Sequence, residues 1–190
     1  MRNTGWWRQA AGAGVMLLAL GSGAEVVGQP QPAASTGRIR PTDAAAAELL
    51  DAGMGRSATF RQIIDALEGG DVVVWVRTGQ LANRGETHFI AATSMFRIVR
   101  VGVRTPGLQD ELLSTLAHEL FHALEIAGAS EVRNPSSMAH FYSRTGWGGP
   151  SGGTSQRETS AAQAREAQVR EELRGSPRSP AGNSASRAAR

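Results

Sequence analysis

The chain has no cysteine and no lysine, a single tyrosine, and few aromatic residues for its 190 positions. Without cysteine there can be neither a disulfide framework nor a thiolate metal site, so any metal must be held by His, Asp or Glu. A lipid-anchored cysteine is excluded on the same ground. Because all twenty basic residues are arginine, the isoelectric point of about 10.8 overstates the charge: against 17 acids the net excess is only +3. A balance this small argues against a nucleic-acid partner. No repeat of solenoid length is visible, and 190 residues suffice for one modest core but hardly for two.

The longest apolar run lies near the start. Arg2 and Arg8 precede the stretch from Ala10 to Leu20, and Ser22 and Ala24 follow at the −3 and −1 positions of a cleavage site. This is the layout of a secretory signal peptide over 1–24, too short and glycine-rich for a spanning helix. It predicts an exported protein, periplasmic or extracellular, with no stable membrane insertion after cleavage. Residues 25–41, rich in Pro, Gln and small residues, read as a flexible linker.

From residue 42 the pattern is that of a folded domain reaching to 147. Thr42 or Asp43 can cap a helix through Ala44–Asp51 that Gly53 and Gly55 stop, and Ser57 can cap a second one carrying Phe60, Ile63, Ile64 and Leu67. Three β-branched segments follow: 72–77, 87–93, and 96–103, where Arg97, Arg100 and Arg104 are expected on a solvent-facing side. The fold class is therefore α+β, with a small three-stranded, antiparallel sheet packed on a long helix. That helix is predicted from Leu108 to about Ala127. Leu113, Leu116, Leu120, Leu124 and Ala127 form its apolar stripe, while Glu111, Ser114 or Thr115, His118, His122 and Glu125 mark another face. A short helix from Ser136 to Arg144 comes next. Residues 148–190 read as a Gly/Ser/Arg-rich tail with an exposed helix over 158–174, too poor in large apolar residues to bury much.

The chemistry concentrates in His118-Glu119-Leu120-Phe121-His122. Residues four apart share a helix face, so the two imidazoles can hold one ion, and neutral imidazole is a good zinc ligand. Glu119 lies about 100° further round the helix, beside the metal and free to take a proton from a metal-bound water. Two of the chain's four histidines fall in this motif, on a helix patterned as the motif requires.

On these residues the chain resembles the zincin metallopeptidases, and its compactness is similar to minimal zincin domains of small exported bacterial proteins. The resemblance covers about residues 57–145, and only the motif is specific. It implies one Zn2+ ion, Glu119 as general base, and hydrolysis of a peptide or protein substrate; a monomer is expected. It also implies a third protein ligand, for which the known patterns fail: no third His stands at the metzincin position, and Met138–Thr145 lacks the thermolysin-type Glu. Glu125, three residues beyond His122, is the chosen candidate, with a role as hydrogen-bond acceptor for a ligand His equally open. His140 and Glu131 are the alternatives. By analogy, the strand at 88–93 would pair with extended substrate, and Tyr142 would steady the oxyanion, or else serve as a packing anchor. A non-catalytic, metal-stabilised binding module is the competing reading, and a metal-free interaction protein a third. Glu119 favours catalysis over the binding module, and the metal-free reading needs the motif to be accidental.

Overall fold

The computed structural model describes residues 37–145 and 158–176, which belong to one compact unit. The signal-peptide reading of 1–24, the linker up to residue 36, and the tail over 148–157 and beyond 176 lie outside the described residues.

A four-stranded sheet has β1 (Ile39–Pro41), β2 (Val72–Gly79), β3 (Gly85–Ala92) and β4 (Arg97–Arg104) in the order β1-β2-β4-β3. β1, β2 and β4 run parallel, and only β3 is antiparallel to its neighbour β4. The expected three-stranded antiparallel sheet is thus corrected in two respects. β1 has three residues, too few to show a period, and falls in the stretch read as linker. The other difference is one of order. β4 carries Val99, Val101 and Val103, all fully buried, and takes an interior place beside β2, whereas β3, with Gly85, Glu86, Thr87 and His88, tolerates the edge.

Helix α1 (Ala44–Arg56) starts where Asp43 accepts from the Ala46 amide, and α2 (Ala58–Glu68) where the Ser57 hydroxyl accepts from the Phe60 amide. α1 does not stop at Gly53. A Cβ there would lie 2.7 Å from the Phe60 ring, so this glycine permits close packing of α1 on α2 inside a continuing helix. α3 (Gln109–Gly128) crosses the inner face of the sheet, and Leu113, Leu116, Leu120 and Ile126 are fully buried against Val74, Val76, Val99 and Val101. α4 (Pro135–Thr145) follows it.

Arg97 does not face solvent. Its guanidinium is buried at the end of α3, donating to the carbonyls of Ile126, Ala127 and Ala129 and, doubly, to the Asp71 carboxylate. Last-turn carbonyls have no partners within a helix, and here an arginine from the sheet supplies them and ties α3 to β4.

The helix expected over 158–174 forms as α5 (Ser160–Gly175), but it is docked rather than exposed. Ala162, Val169 and Leu173 are buried against the body of the protein. Its far end is fixed by polar contacts. Glu172 accepts from Ser57 Oγ (2.6 Å), Thr59 Oγ1 (2.6 Å) and the Thr59 amide (3.1 Å) at the start of α2, where a negative charge also suits the helix dipole. Arg56 donates to the Leu173 carbonyl at 3.2 Å. Three small or medium apolar residues suffice because hydrogen bonds supply the rest of the attachment.

Candidate metal centre

The period of α3 brings His118 and His122 to one side of the helix, one turn apart, at a place where both are buried. Their Nε2 atoms are 3.0 Å apart, with the rings edge to face. Glu158, just before α5, brings its Oε2 to 3.2 Å from His118 Nε2. One ligand atom from each of His118, His122 and Glu158 lies within 4.8 Å of the other two, and this group could hold a metal ion.

The surrounding carboxylates decide which ring nitrogens face inward. Glu125 Oε2 lies 2.8 Å from His122 Nδ1, on the side away from the cluster, and Glu125 Oε1 accepts from the Thr159 hydroxyl at 2.6 Å. A carboxylate at Nδ1 requires a proton there, which leaves Nε2 as a lone pair. Glu166, on α5, stands in the same relation to His118, 3.2 Å from its Nδ1, though as a close charge rather than a well-aligned hydrogen bond. Two Nε2 lone pairs directed at each other across 3.0 Å repel unless a cation lies between them. Two nitrogens each about 2.1 Å from a zinc ion, at a tetrahedral angle, sit about 3.4 Å apart, so the rings need open only slightly.

Electrostatics point the same way. Burial opposes a charge on His118, yet Glu158 and Glu166, with help from the Glu119 charge, prevail and raise its pKa to about 10. The same contacts with His118 hold the carboxyls of Glu158 and Glu166 below their ordinary range. The donor set favours positive charge at its centre, which a proton satisfies when no metal is present.

Glu119 occupies the adjoining face of α3 and is packed against the edge strand. Thr87 on β3 donates to Glu119 Oε2 at 2.7 Å. Gly85 on the same strand approaches so closely that a Cβ there would lie 2.5 Å from Glu119 Oε1. Burial raises the Glu119 pKa, against the Thr87 hydrogen bond and the charges of His122 and His118, which lower it. The carboxylate is therefore a stronger base than an exposed one.

Each residue proposed from the sequence has a definite place. His118, Glu119 and His122 come together as the motif requires. Glu125, chosen as the third ligand, stands instead behind His122 as the acceptor that orients it. Its Cα lies a further turn along α3, and the shorter reach is to Nδ1. His140 is exposed on α4, and Glu131 is exposed and near Arg144, both outside the cluster. Tyr142 is buried with its ring edge-on to His122, and its hydroxyl donates to the His122 carbonyl at 3.1 Å, a contact that steadies the histidine. Glu158 and Glu166 were missed. Their signal was present in the placement of Thr159, a helix N-cap, directly after an acid, but the weak apolar pattern of 160–175 concealed that the helix docks.

A cavity of about 530 Å³ opens beside the cluster, bounded by β3 from Gly85 to Phe89, by α3, by Met138 and Tyr142 of α4, and by Glu158 and Glu166. Arg84 stands at its rim, donating to Thr115 Oγ1 at 3.1 Å. No protein-family model, curated protein or solved structure matches the chain.

Proposed function

We propose that this protein is a zinc-dependent peptidase of the zincin type, with His118, His122 and Glu158 as metal ligands and Glu119 as general base. The observation that carries the reading is the conjunction of a three-residue ligand set with a buried carboxylate that is not part of it, at the wall of an open cavity. A purely structural site has no use for a base held beside it.

A zinc ion bound by these residues would polarise a water molecule and bring its pKa towards about 7. The chain's own groups account for the rest. Glu119, kept in place by Thr87, takes the proton of the attacking water and passes it to the leaving amine. Glu125 keeps His122 in the required tautomer, and the nearby charge of Glu166 favours a proton on the outer nitrogen of His118. β3, at the sheet edge with one side unpaired, offers backbone groups to an extended peptide, whose carbonyls would meet the positive charge of Arg84 at the rim.

The test is to measure bound zinc and hydrolysis of an unstructured protein substrate by the full chain and its variants. Glu119→Gln should retain zinc and lose activity by at least about 100-fold, while His118→Ala should lose both. Zinc bound without turnover in the unaltered chain would favour a metal-stabilised binding module. A chain that binds no zinc sinks both readings.

A further inference from the structure

The sheet has a second face, opposite the one on which α1, α2 and α3 pack. Strand alternation sends Val74, Val76, Val99 and Val101 inward and their neighbours outward. The register then lines up one row across all four strands: Arg40 pairs with Trp75, Trp75 with Arg100, and Arg100 with His88. At about 4.8 Å per strand this row spans about 14 Å.

The charge on this face is one-sided. Arg38, Arg40, Arg100 and Arg104 have no carboxylate within 4.0 Å among the described residues. The one acid placed there by the register, Glu86, is already engaged by Arg77 at 2.6 Å and His88 at 3.3 Å. Nor is the face wholly polar. Trp75 is 37% exposed, and Ile90 at the β-bulge 39%.

We propose that this face docks the protein peripherally on an anionic phospholipid surface. Guanidinium groups bind phosphate in two-pronged fashion, and an exposed Trp among them suits the headgroup layer, where its ring is half in apolar surroundings. The geometry favours a plane over a strand-like polymer. Arg40, Trp75 and Arg100 stand in one row across the strands and line neither the cavity beside the metal cluster nor the smaller one at Thr59 and Phe121. Stacking of successive bases needs several open rings, whereas Phe96 is covered by Arg38 at 4.5 Å and Trp75 stands alone. The metal cluster lies against the other face of the sheet, and the docking face approaches its cavity only at the edge strand β3, whose Glu86 and His88 also line that cavity.

The test is co-sedimentation of the full chain with vesicles of phosphatidylcholine, with and without about one third phosphatidylglycerol, at low and raised salt. Binding should require the anionic lipid and fall with salt. Each arginine removed from the face should weaken it about fivefold, so Arg40→Ser with Arg100→Ser should cost about 25-fold. Arg61→Ser with Arg144→Ser, equal in charge and away from this face, should cost far less. Unchanged thermal melting of both pairs keeps the comparison one of surfaces. The proposal is overturned if the two pairs behave alike, if neutral vesicles bind equally, or if a single-stranded oligonucleotide binds more tightly than the vesicles and with the same dependence on Arg40 and Arg100.

Discussion

If the proposed function holds, replacing Gly85 by alanine separates metal binding from catalysis without touching a proposed ligand. A Cβ at this position would stand 2.5 Å from Glu119 Oε1, 2.7 Å from its Cγ and 2.9 Å from its Cδ. Ordinary contact begins near 3.4 Å, so the carboxylate must retreat by about 0.9 Å. β3 is a sheet strand paired to β4 and is the stiffer partner, so the Glu119 side chain does the moving. Its retreat also strains the 2.7 Å hydrogen bond from Thr87. A reacting group misplaced by about 1 Å costs on the order of 100-fold in rate. The expected outcome for Gly85→Ala is full zinc content and a kcat lower by about 100-fold, with KM little changed. Zinc would be measured by metal analysis and kcat by initial rates on one peptide substrate. Full activity with zinc bound would show that the position of Glu119 against β3 is irrelevant to the reaction.

Further consequences follow from the surroundings of the site. Glu125→Ala removes the acceptor at His122 Nδ1 and should weaken zinc affinity by about 10- to 100-fold in competition with a chromophoric chelator, while the zinc stoichiometry at saturation stays at one. Arg97→Met leaves the buried carbonyls of Ile126 and Ala129 without their donor and should lower stability to urea by about 2–4 kcal/mol. Glu172 is buried enough to oppose its charge, but hydrogen bonds from Ser57 and Thr59 prevail and hold its pKa below the ordinary 4.5. A lowered pKa contributes stability above the unfolded value that is lost as pH falls through the folded one. The melting temperature should therefore drop on acidification from about pH 5 downward, and Glu172→Gln should remove part of that dependence.

How far the site was legible follows from distance along the chain. Helical period alone joins His118, Glu119 and His122, because residues one turn apart in a helix are neighbours whatever the rest of the fold does. The same local rule revealed α2, with its Ser57 cap and its Phe60, Ile63, Ile64 and Leu67 stripe, and the apolar side of α3. Cysteine's absence left only His and carboxylates as ligands. Strand order was not legible, since the β-branched segments of β2 and β4 are alike and nothing in either specifies its neighbour. Nor was the inward turn of Arg97, which depends on the unpartnered end of a helix about thirty residues further on.

By itself, then, the sequence determined that two imidazoles and a carboxylate share one turn of a long two-sided helix, because that depends only on the geometry of the α-helix. Only the tertiary structure decided which acid completes the group. Glu125 is nearer in sequence but reaches the outer nitrogen of His122, while Glu158 arrives from a helix whose docking rests on hydrogen bonds to Ser57, Thr59 and Arg56 as much as on apolar burial. Hydrophobic periodicity cannot register an attachment made largely of polar contacts, so the third corner of the site became visible only when α5 was seen in place.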